Sequence, residues 1–88
     1  MEIEQQDNPT KGRFYIEDLA EMTYVWAGNK IIIDHTEVSL MLKGKNVGKQ
    51  LVDKAVEFAR EKGIKIMPLC PFAKSVFEKT PDYSDVLF

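Results

Sequence analysis

Leu42-Lys43-Gly44-Lys45-Asn46-Val47-Gly48-Lys49-Gln50-Leu51 is the stretch at which the chain changes its period. After it, Val47, Leu51, Val52, Ala55, Val56 and Ala59 recur at helical spacing and give a helix one apolar face. Gly63 stops that helix, with Lys62 in its last turn. Before it, the pattern is that of strands. A short first strand leads into Asp7-Asn8-Pro9-Thr10-Lys11-Gly12, which reads as a turn-rich loop. Arg13 to Glu17 carries the β-favouring core Phe14-Tyr15-Ile16. Glu21 to Ala27 alternates, with Met22, Tyr24 and Trp26 on one face and Thr23 and Val25 on the other. Gly28-Asn29 then suits a tight hairpin turn into Ile31-Ile32-Ile33, and that strand extends to Val38. Beyond the long helix, Ile64 to Leu69 is a short apolar strand. Pro71 opens a second helix, with Phe72, Ala73, Val76 and Phe77 toward the core, and Thr80-Pro81-Asp82 ends it. Tyr83 to Phe88 reads as a tail or a last short strand. The order β-β-β-β-α-β-α predicts an α+β fold, a mostly antiparallel sheet covered by two helices.

The chain has 88 residues, 44% of them apolar and 30% charged, which is the size and composition of a single globular domain over residues 1–88. A net charge of −2 and a pI near 5.3 argue against a general nucleic-acid binder. Nothing approaches the roughly 20 apolar residues that span a bilayer. The acidic, polar start Glu2-Ile3-Glu4-Gln5-Gln6-Asp7 is not a signal peptide, so no membrane partner is expected. Cys70 is the single cysteine, which excludes an internal disulfide and a multi-cysteine zinc site. One histidine and scattered carboxylates do not make a metal ligand set either. A reducing, cytoplasmic setting follows as the expectation, for a monomer or weak homodimer.

The loop before the long helix carries chemistry. Backbone N–H groups at a helix start are unpaired and sit at the positive end of the helix dipole, which suits phosphate oxygens. Glycines let the backbone approach such a ligand, and Lys43, Lys45 and Lys49 add positive charge. The plain alternative is a solvated lysine cluster. The stretch resembles the pyrophosphate-binding loop of the GNAT superfamily of N-acetyltransferases, commonly written Q/R-x-x-G-x-G/A. Lys43 then stands where Gln or Arg is usual, Asn46 where the first Gly is usual, and Gly48 at the last position. Asn is the least costly replacement for glycine in left-handed geometry, and Lys keeps the charge. The order of His35-Thr36-Glu37-Val38, the Lys/Gly loop, Pro68-Leu69-Cys70-Pro71-Phe72-Ala73-Lys74 and Pro81-Asp82-Tyr83 is similar to the minimal GNAT-like proteins of the YjdJ type.

This resemblance implies an acetyltransferase that uses acetyl-CoA. The loop, Val38, Lys43, Gly44, Lys45, Asn46, Val47, Gly48 and Lys49, would hold the cofactor, the strand from Asp34 to Val38 pairing with its pantetheine arm. GNAT enzymes often carry N-x-x-A-x-x-x-Y after the fifth strand, the tyrosine protonating the departing thiolate. Cys70, Ala73 and Phe77 occupy those positions here, so the usual acid is missing. Cys70 offers a substitute, because Pro71 places its sulfur beside a helix N-terminus, where the dipole favours a thiolate. The resemblance implies that this position lies near the acyl end, with His35 facing the cofactor as base partner. Glu37 shares the face of His35, to orient the imidazole or deprotonate an amine, while Asp34 points to the opposite face. A buried hydrophobic cysteine and a structural histidine are the plain alternatives. Typical relatives have helices after the first strand, where this chain has only Asp7 to Gly12. The acyl end is therefore expected to be open, suiting a large or protein acceptor of unidentified kind. The rival readings are a non-catalytic acyl-CoA-binding or protein-interaction module and a purely structural α+β domain.

Overall fold

The computed structural model describes residues 2–88. Five strands, β1 (Glu4–Asp7), β2 (Lys11–Ile16), β3 (Ala20–Ala27), β4 (Lys30–Val38) and β5 (Lys65–Pro68), form one sheet in the order β1-β2-β3-β4-β5. The first four pair antiparallel, and β4 with β5 parallel, because helix α1 (Val47–Lys62) carries the chain back between them. Helix α2 (Pro71–Lys79) follows β5. The α+β architecture expected from the period change is the one observed.

Two segments differ from expectation. Asp7 to Gly12 is not an open loop: Asp7 pairs with Gly12, and only Asn8, Pro9 and Thr10 lie between β1 and β2. The Asn8 carboxamide oxygen accepts from the backbone N–H groups of Thr10 (3.0 Å) and Lys11 (2.9 Å), closing the turn locally. The C-terminal segment is a 3-10 helix, Pro81–Val86, followed by a single parallel bridge of Leu87 to Ile66.

Alternation on β2, β3 and β4 sends Phe14, Ile16, Met22, Tyr24, Ile31 and Ile33 to one face of the sheet, all buried. Helix α1 buries Val47, Leu51, Val52, Ala55, Val56 and Ala59 in the same cluster, and α2 adds Ala73, Val76 and Phe77. Each fully buried aliphatic side chain is worth roughly 1.5–3 kcal/mol of transfer free energy. Trp26, Tyr24 and Phe14 gather around Phe58 of α1, with ring centroids 5.9–6.1 Å from it. The Tyr24 hydroxyl donates to Asp7 Oδ1 (2.6 Å), and the Trp26 indole N–H donates to the same oxygen (2.8 Å). Burial, then the Asp7 contact, pushes the Tyr24 hydroxyl well above the ordinary tyrosine range. Gly12 makes room for it, since a Cβ there would lie 2.5 Å from Tyr24 Cζ. Asp7 thereby ties the exposed β1 to the core.

Candidate functional site

An irregularity in β4 decides which side chains reach the site. Tyr24 pairs with Ile33 and Thr23 with His35, so Asp34 is one residue too many. Strict alternation from Ile31 and Ile33 would have turned His35 toward the helices. The bulge reverses the parity beyond it, and Thr36, paired with the fully buried Met22, takes that side instead. Asp34 accepts a hydrogen bond from Thr23 Oγ1 (2.7 Å), on the strand position that pairs with His35. The expectation of opposite faces for Asp34 and His35 fails there, because a bulge suspends alternation. His35 and Glu37 do share a face: Nε2 and Oε2 are 3.7 Å apart, on side chains 60% and 78% exposed.

β5 leaves β4 at the same place. The parallel pairing ends at Ile33 and Pro68, and the N–H groups of Leu69 (2.9 Å) and Cys70 (3.1 Å) both donate to the Ile33 carbonyl. From His35 to Val38, β4 is paired with β3 alone, and past the Asp34 bulge its other backbone edge is left open toward α2.

The loop after β4 delivers α1 to that open edge. Leu40–Leu42 forms a 3-10 turn capped by the Ser39 hydroxyl. Gly44 (φ +82°) and Asn46 (φ +58°) are both left-handed, as the glycine-like role of Asn46 requires. Asn46 is the N-cap of α1, yet its side chain makes no cap hydrogen bond, and no acidic residue stands in the first turn. The first N–H groups of α1 have no intrahelical partner and keep their capacity for an anion. A cleft of about 380 Å³ opens over them, lined by Thr36, Val38, Leu42, Lys43, Gly44, Asn46, Val47, Gly48, Lys49 and Phe72. All the loop residues expected to hold the cofactor line it, except Lys45. Lys49 is partly committed, since its ammonium donates to the Tyr83 hydroxyl (3.2 Å) and to Asp53 Oδ1 (3.4 Å). Larger clefts of about 490 and 450 Å³ lie elsewhere, around Arg13 and Glu21, without a helix start.

Cys70 is the N-cap of α2, and its sulfur accepts from the Ala73 N–H (3.4 Å). It is 7% exposed. Its sulfur lies 3.2 Å from Thr36 Oγ1, so the residue brought to Cys70 is Thr36 and not His35, its outward-facing neighbour. Phe77 is buried and packs edge-on against Tyr83 at 5.6 Å between centroids. Among the described residues no three His, Cys, Asp or Glu side chains form a metal-ligating group, and no helix is long and apolar enough to cross a membrane.

Sequence reasoning missed Thr36, Leu42 and Phe72. The bulge that turns Thr36 inward leaves no mark on the hydropathy pattern, and Leu42 reads simply as an apolar residue. Phe72, expected toward the core with Ala73, Val76 and Phe77, is exposed and lines the cleft instead. Phe72 also supplies a second reason for Gly48: a Cβ there would lie 2.7 Å from the Phe72 ring carbon Cε2.

Residues 13–86 match the GCN5-related N-acetyltransferase family. The solution structure of a GCN5-like candidate N-acetyltransferase from Staphylococcus aureus is 43% identical, with a TM-score of 0.74 over 97% of this chain and 87% of that one. The crystal structure of nourseothricin acetyltransferase is 26% identical over 64% of this chain and 36% of that one, with a TM-score of 0.49. No curated protein matches the chain. A family match from Arg13 to Val86, with a shared fold in a relative this similar, establishes that the chain belongs to the GCN5-related N-acetyltransferase family.

Proposed function

We propose that this chain binds acetyl-CoA in the cleft at the start of α1 and passes the acetyl group to an amine or protein acceptor in the cytoplasm. The observation that carries the reading is the meeting of three features: an uncapped helix start, Lys43 beside it, and the open backbone edge of β4. The helix N–H groups and Lys43 suit a pyrophosphate. The N–H and C=O groups from Asp34 to Val38 suit the amides of a pantetheine arm. The bound thioester supplies the activated acetyl group.

Cys70 is the residue that takes that group in this reading. Its sulfur attacks the thioester carbonyl and forms a new C–S bond as the old one breaks. One thiol replaces another, so the proton released by Cys70 is the proton the departing thiolate needs. The Thr36 hydroxyl touches the Cys70 sulfur and also lines the cleft, which suits it to carry that proton across. His35 faces away and is left to the acceptor side, with Glu37 beside it as a candidate base for an incoming amine.

Titration of labelled protein with acetyl-CoA tests the binding. Amide shifts are expected at Gly44 to Gly48 and at Ile33 to Val38, and no movement at millimolar ligand rules the site out. Mass spectrometry tests the acyl transfer: an added acetyl on the peptide containing Cys70, lost in Cys70→Ser. Phe77 favours the second reading, a binding module without turnover, because no hydroxyl stands at the usual acid position. Binding without a label on Cys70 and without acetylation of an amine panel would decide for that module.

A further inference from the structure

From the contact between α2 and the start of α1, we infer that Phe72 is a specificity-determining residue, which makes the cleft select a ligand bearing the pantetheine arm over the bare nucleotide. The inference rests on the coenzyme A reading above and adds a division of labour within the cleft.

Phe72 lies two residues beyond Cys70, in the first turn of α2. The other apolar side chains of that helix go inward: Ala73 is 0%, Val76 9% and Phe77 6% exposed. Phe72 is left 43% exposed. Its ring reaches across to α1 and rests on Gly48, where any Cβ would collide with it. Held there, it lines the cleft alongside Val38, Leu42 and Val47, which Lys43 and the residues at the start of α1 also line. The lining of the cleft therefore combines anion-fitting groups, Lys43 and the helix N–H groups, with the apolar side chains of Val38, Leu42, Val47 and Phe72.

In coenzyme A, what lies between the diphosphate and the sulfur is a chain of two amides, several methylenes and a geminal dimethyl group. The open edge of β4 can satisfy the amides, but it offers nothing to the methyl and methylene groups. A half-open aromatic face does, and covering it removes apolar surface from water on both sides. Phe72 thus contributes to ligands that carry the arm and nothing to those that end at the phosphates.

The test is calorimetry of the wild type, Phe72→Leu and Phe72→Ala with coenzyme A and with adenosine 3′-phosphate 5′-diphosphate, which lacks the arm. Melting curves check that each variant is folded. Phe72→Ala is expected to weaken coenzyme A by about tenfold, Phe72→Leu by less, with the nucleotide unchanged within about twofold. An equal loss for both ligands overturns the inference, since the ring would then act only by shaping the loop through Gly48. Undiminished coenzyme A binding in both variants overturns it too. A wild type that binds neither ligand instead fails the coenzyme A reading itself, and the inference falls with it.

Discussion

The two helices begin in opposite ways. Helix α2 starts closed: Cys70 is extended, its sulfur accepts from the Ala73 N–H, and Pro71 has no N–H to satisfy. Helix α1 starts open: Asn46 is left-handed, offers no side-chain cap, and leads into a turn without a carboxylate. A helix whose job is purely structural gains about 1 kcal/mol from an N-cap, so leaving one uncapped is a cost that a ligand can recover. The same contrast extends to the glycine. α1 has Gly48 in its first turn, where a glycine weakens a helix, and the Phe72 ring from α2 fills the space it leaves. The open start is thus shaped by the closed one.

Substitution at that contact should have the largest effect. Gly48→Ala is expected to cost about 1–2 kcal/mol in urea unfolding, toward the lower end of overpacking because the Phe72 ring can give way toward solvent. Most of that loss should disappear in the Phe72→Ala background; additive losses would mean that the two residues do not interact. Next comes the left-handed cap. Asn46→Val should lose about 1 kcal/mol, since a β-branched residue resists positive φ. Asn46→Gly should be stable to within about 1 kcal/mol and at least as good for coenzyme A. A tolerated valine would remove the left-handed requirement. At the closed start, Cys70→Ala should cost about 0.5 kcal/mol or more through loss of the sulfur cap, while Cys70→Ser, which keeps an acceptor, should lose less. Equal stabilities would show that the sulfur contact to Ala73 contributes nothing.

The smallest effect is a pH dependence. Arg60 hydrogen-bonds Asp85 (2.9 Å) and so holds that carboxyl below the usual range. A carboxyl with a depressed folded pKa stabilises the fold above its unfolded value, about 3.9, and loses that contribution as pH falls through the folded value. The 3-10 helix carrying Asp85 also carries Tyr83, which holds Lys49 at the open start of α1. Asp85→Asn should therefore flatten the acid limb of stability below about pH 4. An unchanged limb assigns the acid sensitivity to other carboxylates.

How far this was legible in the sequence depended on whether a feature is local. The period change at Leu42 to Leu51 and the Gly63 stop are written in neighbouring residues and lie where the spacing put them, while the glycine-like role of Asn46 came from the resemblance of the loop to the GNAT pattern. The Asn8 turn was also local, but a run of turn formers does not say how few of them the turn uses. The β4 bulge was not legible at all. One inserted residue, Asp34, reverses every side chain after it, and His35-Thr36-Glu37 reads equally well either way round. Thr36 therefore replaced His35 at Cys70 for a reason that lies in the pairing with β3. Gly48 was legible as a glycine of the loop, but its contact with Phe72 joins two helices and has no signature in either.

The sheet's spatial order is also its order along the chain. Each strand from β2 to β4 meets a neighbour formed just before it, across a short turn, so the entropy of closing each loop stays small. Such a meander has a low contact order, which favours rapid assembly. The exception is β5, whose pairing with β4 encloses the whole of α1 and so closes a much longer loop. The same pairing sets Cys70 against Thr36 and Phe72 against Gly48, so the cleft depends on a long-range contact that the meander does not supply. In folding kinetics, substitutions in β2 and β3 should mainly slow folding, and Phe72→Ala should mainly speed unfolding.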